Sequence, residues 1–262
     1  MASFTTLYSG SSGNCGLVVS GGGYLLIDMG KSCRATLGAL KNLGLAVSDC
    51  RGVLVTHEHI DHIAGLEVFL RHYSVPVYAG AATLDALESR GILPPGLEAV
   101  ALEGRTEDVG GFGVTAFPTS HDVPCCGFRI QTPGGATMAI ATDLGTLTPV
   151  VHQQLGGAAL VALEANYDLY SLRHGPYPYY LKTRIESARG HLSNDECAAK
   201  CLELVQQGCK RFALCHLSQE NNTPALALEA VRRTLAAAGV VPDPDTVVQA
   251  QRRSETSPFL EF

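Results

Sequence analysis

The segment Thr56-His57-Glu58-His59-Ile60-Asp61-His62 carries three histidines and an aspartate within six residues. It follows the apolar run Val53-Leu54-Val55, which predicts a short buried strand, and it precedes a helix predicted over 63–73. A tight loop between a strand and a helix can turn all four side chains toward one point. Imidazole and carboxylate ligands together suit zinc, manganese or iron rather than calcium. The segment therefore predicts a metal centre at the end of a strand.

Three more ligand-type residues share this context, because each of them follows an apolar strand. They are His121 after 114–118, Asp143 after 136–141 and His216 after 212–215. Functional groups are commonly carried on loops at one edge of a rigid sheet. Each residue taken alone could be structural, but the repeated pattern indicates one site at the C-terminal ends of several strands.

The rest of the chain predicts clusters of strands interleaved with helices. The runs 17–19 and 24–27 flank Ser20-Gly21-Gly22-Gly23, which is typical of a β-hairpin. Further strands are expected at 77–79, over most of 100–141, and at 158–163 and 246–248; helices are expected at 34–43, 83–90, 194–207 and 223–238. This alternation implies packed α and β layers.

Length and composition indicate one compact domain. The chain has 262 residues, of which 46% are apolar, so a single domain over 1–262 is expected. The net charge of −6 argues against a protein that coats nucleic acid through an overall positive field. It leaves room for an enzyme that grips a nucleic-acid end locally.

The N-terminus and the cysteines bear on the compartment. Residues 1–6 have neither the basic nor the apolar region of a secretory signal, and no apolar run approaches the roughly 18–20 residues that span a bilayer. A cytoplasmic protein without a membrane partner is therefore expected. The nine cysteines are odd in number and irregularly spaced, which predicts small buried hydrophobic residues rather than disulfides. The oligomeric state stays open.

A family resemblance rests on the series His57-x-His59-x-Asp61-His62, His121, Asp143 and His216. Over nearly the whole chain, this series resembles the metallo-β-lactamase superfamily. The resemblance implies an α/β fold, a four-layer αβ/βα sandwich of two facing β-sheets with helices outside. It also implies two divalent metal ions, zinc or manganese, with iron as a third option. Their ligands would be His57, His59 and His121 at the first metal, and Asp61, His62 and His216 at the second, with Asp143 as the bridge.

The bridging aspartate and one further histidine narrow the reaction class. True β-lactamases of this superfamily lack the aspartate that Asp143 would supply, whereas phosphodiesterases and glyoxalase II-type thioesterases carry it. In the tRNA-maturing phosphodiesterases, a glutamate orients a histidine before a helix, and Glu164 and His191 resemble that pair. By resemblance, His191 would protonate the leaving 3′ oxygen or bind a phosphate oxygen, while Glu164 would set its tautomer. Asp61 would also serve catalysis. The alternative is a helix-capping histidine and a surface glutamate.

Four further stretches narrow the resemblance to the WalJ (YycJ) group of small bacterial proteins, described as nucleases that act on DNA ends. These stretches are 9–14, 26–30, 190–194 and 216–222. The resemblance implies a DNA exonuclease that digests 5′ to 3′. Two alternatives stay open: a thioesterase or lactonase of the same fold, and a non-catalytic, metal-stabilised module that binds DNA ends.

A tyrosine-rich segment, 166–190, lies between Glu164 and His191 and must pass near the site. It carries five tyrosines and four lysines or arginines against two acidic residues. Aromatic faces interleaved with cations suit single-stranded or frayed nucleic acid. The alternative is a packing loop with a solvated polar face.

Substrate contacts are expected from a small set of polar side chains around the metals, namely Ser11, Asn14, Arg173, Lys182, Arg184 and Asn194. Ser11 and Asn14 belong to a Ser-Gly run that could cradle phosphate, although such runs are usually plain turns. Asp28 follows a strand and is expected to support a metal ligand rather than to bind metal itself.

Overall fold

The computed structural model describes residues 1–241 and 244–262. Within these residues, two mixed sheets contain seven strands each. The first sheet holds β1 (Ser3–Tyr8), β2 (Cys15–Ser20), β3 (Gly23–Ile27), β4 (Cys50–Val55), β5 (Val77–Ala79) and β6 (Ala99–Ala101). The second sheet holds β7 (Thr106–Val109), β8 (Phe112–Thr119), β9 (Cys125–Gln131), β10 (Thr137–Ala141), β11 (Leu160–Glu164), β12 (Arg211–Cys215) and β13 (Val247–Ala250). The last strand, β14 (Leu260–Glu261), returns to pair with β1.

Each sheet has an antiparallel part and a parallel part. In the first sheet the order is β14-β1-β2-β3-β4-β5-β6, and the strands from β3 onward run parallel. In the second sheet the order is β13-β12-β11-β10-β9-β8-β7, and β10 to β13 run parallel. The parallel parts align the C-terminal ends of β4, β10 and β12, which precede His57, Asp143 and His216. His121 follows β8 in the antiparallel part, and β8 runs in the same direction as β10 because both pair antiparallel with β9.

The helices lie in two outer layers and in one separate segment. They are α1 (Cys33–Asn42), α2 (Ile60–Ile63), α3 (Leu66–His72), α4 (Ala81–Ser89), α5 (Pro149–Leu155), α6 (Leu169–His174), α7 (Tyr179–Ile185), α8 (Asn194–Gln206) and α9 (Pro224–Ala237). A short 3-10 turn covers Val47–Asp49. Ser193 and Thr223 cap α8 and α9, because each accepts a hydrogen bond from the first helical turn.

Three apolar cores explain why the layers stack in this order. Side chains of both sheets, such as Phe4 and Phe128, meet in the core between the sheets. A second core joins the first sheet to α1, α3 and α4, and a third joins the second sheet to α5, α8 and α9. The predicted four-layer sandwich with helices outside is confirmed. The described residues contain no helix that is both long and apolar enough to cross a membrane, and all nine cysteines are free and buried, as predicted.

The predicted helix over 63–73 is wrong at its start, because α3 begins only at Leu66, and the separate short helix α2 before it was not predicted. The Gly65 N–H donates to the carbonyl oxygen of Met29 at 3.0 Å, outside the helical ladder. A Cβ at Gly65 would lie 2.2 Å from the Lys31 carbonyl oxygen, so the backbone here packs against the loop after β3. The strand β1 and the helices α5, α6 and α7 were not predicted, although Thr148 and Asp168 carry ordinary N-cap chemistry.

Candidate metal centre

The metal-binding segment is held by the loop that follows β3. Asp28 accepts the Thr56 N–H at 2.8 Å and the Thr56 hydroxyl at 2.9 Å, which ties the ends of β3 and β4 together. A Cβ at Gly30 would lie 1.7 Å from the Asp61 carbonyl oxygen, so only glycine permits this close approach. The segment is therefore fixed from behind by backbone packing.

The first cluster consists of His57, His59 and His121, whose ligand atoms lie within 4.8 Å of one another. His57 Nδ1 lies 3.0 Å from the Thr56 hydroxyl, and its Nε2 is buried without a hydrogen-bond partner. His121 Nδ1 lies 3.2 Å from the Gly190 carbonyl oxygen, which can only accept. Nδ1 of His121 therefore carries the proton, and Nε2 is left free to bind a cation.

The second cluster consists of Asp61, His62 and His216, again with ligand atoms within 4.8 Å. His62 Nδ1 lies 2.7 Å from Asp28 Oδ2, which orients the ring and turns Nε2 inward, 3.6 Å from Asp61 Oδ2. Both ring nitrogens of His216 are buried without a hydrogen-bond partner. Asp28 thus contacts a histidine of the cluster and lies outside the cluster itself.

Asp143 lies between the two clusters. It groups with His57 and His62 within the same 4.8 Å limit, and it also groups with His216. Its Oδ2 lies 3.3 Å from His62 Nε2 and has no hydrogen-bond partner, although the atom is buried. The carboxylate is therefore within reach of both sets of imidazoles.

Backbone strain marks the same strand ends. Asp28, Asp143 and His216 have φ values of 62°, 56° and 55°, and they are the positive-φ non-glycine residues among those the structure describes. A side chain in the left-handed region costs roughly 1–3 kcal/mol and is typical of active sites. Here the sharp turn after a strand aims each side chain back into the site.

The unpartnered atoms test whether cations fit the site. A buried polar atom without a partner costs about 1–3 kcal/mol, yet His57 Nε2 and Asp143 Oδ2 are in this state, and His216 Nδ1 faces the carboxylates of Asp143 and Glu164 at 3.1 and 3.2 Å. They are imidazole nitrogen and carboxylate oxygen, the donors that bind zinc and similar divalent metals. The residues fit a divalent metal centre, and the cations would satisfy the atoms that the protein leaves unpaired.

The charges of the site favour cation binding. Burial raises the pKa of Asp143, but the neighbouring His216 and His62 outweigh burial and hold that pKa well below its usual range. Burial lowers the pKa of His62, but Asp143 and Asp28 outweigh it and raise the pKa to about 9. Burial lowers the pKa of His57 far below its ordinary value. The Asp143 carboxylate is therefore ionised, and the negative surroundings that raise the pKa of His62 also attract cations. His57 is neutral and able to act as a ligand.

His191 and Glu164 form a pair beside the clusters. His191 Nδ1 lies 2.7 Å from Glu164 Oε1, and Glu164 Oε2 accepts the N–H groups of Leu144 at 3.0 Å and Leu192 at 3.3 Å. Burial lowers the pKa of His191, but the Glu164 charge outweighs it and raises that pKa. The alternative of a capping histidine and a surface glutamate is wrong, because Ser193 caps α8 and Glu164 is fully buried.

A cleft of about 190 Å³ opens beside this pair. Its walls include Ser11, Tyr177, Arg184, Arg189, His191 and Ser218. Asn14 lies behind Ser11, with Nδ2 3.1 Å from His62 Nε2. Two of the expected substrate contacts, Ser11 and Arg184, therefore line the cleft, and Asn14 faces the second cluster.

The other expected substrate contacts lie elsewhere. Asn194 is buried and exchanges two hydrogen bonds, at 2.8 and 2.9 Å, with Asn222. Arg173 forms an ion pair with Glu186 at 3.1 Å. Lys182 Nζ donates to the carbonyl oxygens of Arg173 and Gly175 at 2.9 and 2.8 Å. The structure does not bring these three residues to the cleft.

Asp122 was not predicted and lies at the first cluster. Its Oδ1 is 3.2 Å from His121 Nε2 and 3.5 Å from His59 Nε2, and its other oxygen pairs with Arg184. Burial raises the pKa of Asp122, but Arg184 and the two histidines outweigh it and lower that pKa. The available signal was an acidic residue directly after His121. Asp122 joins the first cluster to the tyrosine-rich segment through its ion pair with Arg184.

Two facing sheets with histidines and aspartates at their shared strand ends define a metal-dependent hydrolase of the β-lactamase type. Residues 24–217 match the family described as Beta-lactamase superfamily domain, and the chain belongs to this family. The protein is a hydrolase that depends on divalent metal.

Its relatives sharpen this assignment. The chain is 35% identical to Exodeoxyribonuclease YycJ of Bacillus anthracis over 237 residues, which cover 90% of each chain. It is 31% identical to Exodeoxyribonuclease WalJ of Streptococcus pneumoniae over 262 residues, covering 99% of this chain and 97% of the relative. Among solved structures, the metallo-β-lactamase fold protein YhfI of Bacillus subtilis superposes over 100% of both chains, with a TM-score of 0.71 and 19% identity. That last likeness concerns the fold alone.

Proposed function

We propose that the protein is an exodeoxyribonuclease that uses two divalent metal ions and digests DNA 5′ to 3′ in the cytoplasm. The observation that carries the proposal is the pair His191–Glu164 beside clustered histidines and aspartates that could hold metal ions. A hydrolase acting on a poor leaving group needs a proton donor, whereas one acting on a good leaving group does not. The names of the two curated relatives support the same substrate class.

Seven residues would hold the metals in this proposal. They are His57, His59 and His121 for the first ion, Asp61, His62 and His216 for the second, and Asp143 between them. Zinc or manganese suits this mixture of nitrogen and oxygen donors, and iron is a third option. When bound, such a pair of ions activates water and stabilises the negative charge that develops on a phosphoryl group.

The remaining residues have separate tasks. Glu164 accepts the Nδ1 proton of His191, so that Nε2 faces the cleft and can deliver a proton to the leaving 3′ oxygen. Arg184 and the Ser11 hydroxyl line the cleft and can bind phosphate oxygens. Asp28 keeps His62 in the tautomer that a metal ligand requires. Asp61 would contribute to catalysis as a ligand of the second ion, next to the reacting groups.

The discriminating experiment offers the protein several substrates under identical conditions. Single-stranded and duplex DNA and RNA, labelled at the 5′ or the 3′ end, are incubated with protein loaded with zinc, manganese or iron. We expect mononucleotides released from the 5′ end of DNA. A thioester and bis-p-nitrophenyl phosphate are tested alongside. Rapid thioester cleavage with intact DNA would favour a thioesterase, and tight DNA-end binding without any cleavage would favour a non-catalytic module.

A further inference from the structure

A second large groove lies outside the metal centre, between α1 and the segment 252–256. Its volume is about 790 Å³, and it is lined by Lys31, Arg34, Asn42, Arg252, Glu255 and several smaller residues. Three cations and one carboxylate line it, although the whole chain has a net charge of −6. The groove is therefore a local positive region on an acidic protein.

The cations of this groove are poorly neutralised by the protein. Among residues 1–241 and 244–262, no carboxylate lies within ion-pair distance of Lys31, Arg34 or Arg253, the residue beside the groove-lining Arg252. Lys31 Nζ is 3.5 Å from the Arg253 carbonyl oxygen and 5.0 Å from the centre of the Tyr8 ring. Arg252 has a partner, because it pairs with Glu255 at 3.4 Å.

Arg253 has a further unsatisfied group. Its Nη2 donates to the Leu217 carbonyl oxygen at 2.9 Å, but its Nη1 is buried without a hydrogen-bond partner. Burial and the nearby Arg253 charge both lower the pKa of Lys31. The buried Nη1 of Arg253 is not accessible to an external anion, but Lys31 and Arg34 line the groove without an ion pair among the described residues and are suited to an anion supplied from outside.

The groove adjoins the metal centre through the loop 9–14. A Cβ at Gly13 would lie 2.6 Å from Lys31 Cγ, and a Cβ at Gly10 would lie 2.9 Å from Arg253 Nη1. The same loop carries Ser11, which lines the cleft beside His191. Arg253 also contacts Leu217, the neighbour of the predicted ligand His216. A chain of phosphates that leaves the cleft over Ser11 therefore reaches Lys31 next, and Arg253 supports the loop 9–14 from beneath Gly10.

We propose that this groove binds the sugar-phosphate backbone of the DNA strand whose end is held at the metals. The proposal rests on the proposed nuclease function. The lining supplies cations, while its tyrosine, Tyr8, is buried and cannot stack on a base. The groove thus contacts phosphates rather than bases, which gives affinity without sequence preference.

Charge variants of the groove test the proposal by the salt dependence of binding. Arg34 lies exposed on α1 without an ion pair among the described residues, so Arg34→Glu leaves the fold intact. The double variant Lys31→Gln/Arg34→Gln removes two charges. The matched control is Arg232→Gln, an exposed arginine on α9 in the opposite outer layer. Binding of a fluorescent twenty-nucleotide oligo-dT is measured in calcium, from low to high salt, by anisotropy.

We expect both groove variants to bind about tenfold more weakly at low salt. The slope of log K against log salt should fall by about 0.7 for each phosphate contact that is lost. The loss of turnover on the oligonucleotide should exceed the loss on bis-p-nitrophenyl phosphate by at least fivefold, while Arg232→Gln behaves as wild type in every assay. Wild-type affinity and slope in both groove variants would overturn the proposal, as would an equal loss in the control.

The same experiment separates this proposal from the one on which it rests. If wild-type protein hydrolyses bis-p-nitrophenyl phosphate but neither binds nor cleaves any oligonucleotide, the nuclease function fails and the groove proposal falls with it. If wild-type protein cleaves DNA and the groove variants keep its affinity and salt dependence, only the groove proposal is wrong.

Discussion

The metal centre and the tyrosine-rich segment 166–190 both carry many polar groups, but they use them in opposite ways. In the centre, His57 Nε2 and Asp143 Oδ2 are buried without a hydrogen-bond partner, and the groups nearest to them are other imidazoles of the two clusters. In the segment, the donors of Arg173 and Lys182 are consumed by Glu186 and by carbonyl oxygens of the segment itself. The difference teaches that unsatisfied atoms, rather than the number of charges, indicate where an external ligand binds.

The two regions meet at the first cluster. Arg189 donates to the His121 carbonyl oxygen at 2.8 Å, and the Gly190 carbonyl oxygen lies 3.2 Å from His121 Nδ1. A Cβ at Gly190 would lie 2.2 Å from the Ile185 carbonyl oxygen, so the end of α7 packs tightly against this turn. The segment therefore supports the predicted ligand His121 from outside, and α7 contributes Arg184, with the apolar Leu181 and Ile185, to the cleft.

The largest expected effect comes from removing the carboxylate at the middle of the centre. Asp143→Ala should lose metal and most activity together, because two cations repel strongly when no anion lies between them. The metal content, measured by elemental analysis, should fall below the wild-type value of about two ions per chain. Asp85→Ala, an exposed aspartate on α4, is the control. Full metal content with full activity in Asp143→Ala would break the comparison, since the carboxylate would then be purely structural.

The next effect concerns His191, which lies at the border of the two regions. A general acid contributes typically about 10²–10⁴-fold, so His191→Ala should lose about that much turnover on DNA. The loss should be far smaller on bis-p-nitrophenyl phosphate, whose leaving group departs without a proton. Glu164→Gln should show the same selectivity in weaker form, because it disturbs the tautomer and leaves the imidazole in place.

The metal content of His191→Ala sharpens this test. His191 lies with Asp143, Glu164 and His216 in a group that could itself hold an ion. Elemental analysis of the variant should still find about two metal ions per chain. If the variant loses one, His191 is a ligand, and its assignment as the proton donor is wrong. If it loses neither metal nor turnover on DNA, the phosphodiesterase proposal loses its main support.

A smaller effect is expected at Arg184, one of the two cations of the segment that line the cleft. Arg184→Ala should raise KM for oligonucleotides about tenfold, since a charge-assisted hydrogen bond to phosphate contributes about 1.5–3 kcal/mol before solvent screening. Arg173→Ala is the matched control, because Arg173 is also an ion-paired arginine of the segment but does not line the cleft, and it should change KM little. Equal increases in KM would show that the segment binds DNA along its whole length.

The smallest effect should come from Lys182, which bridges two carbonyl oxygens inside the segment. Lys182→Met should lower the free energy of unfolding by about 1 kcal/mol, as expected for lost internal hydrogen bonds. The salt dependence of DNA binding should stay at the wild-type value. Denaturant unfolding and anisotropy titrations measure the two quantities, with Lys41→Met on α1 as the control. A flattened salt dependence would instead assign Lys182 to the DNA surface.

The sequence was informative where chemistry is local. The ligand-type residues follow apolar strands, and the sandwich of sheets and helices was predicted from the resemblance that these residues carry. The helices α6 and α7 escaped prediction because their apolar faces, which include Leu172 and Ile185, are short and pack on a small separate core. Asp122 escaped because its role depends on how close the turn after β8 comes to His59.

By itself, the sequence determined the class of protein and the residues that can bind metal. Strand ends, caps and the ligand-rich segment 57–62 depend on neighbours in the chain, and their chemistry can be read without coordinates. Only the tertiary structure decided which cations are free. Arg173 meets Glu186 through the packing of α6 and α7 within one segment, and Lys31 meets Arg253 although 222 residues separate them in the chain. Whether a charge is neutralised depends on distances of a few ångströms between such parts, because Coulomb energy falls with separation and with solvent screening.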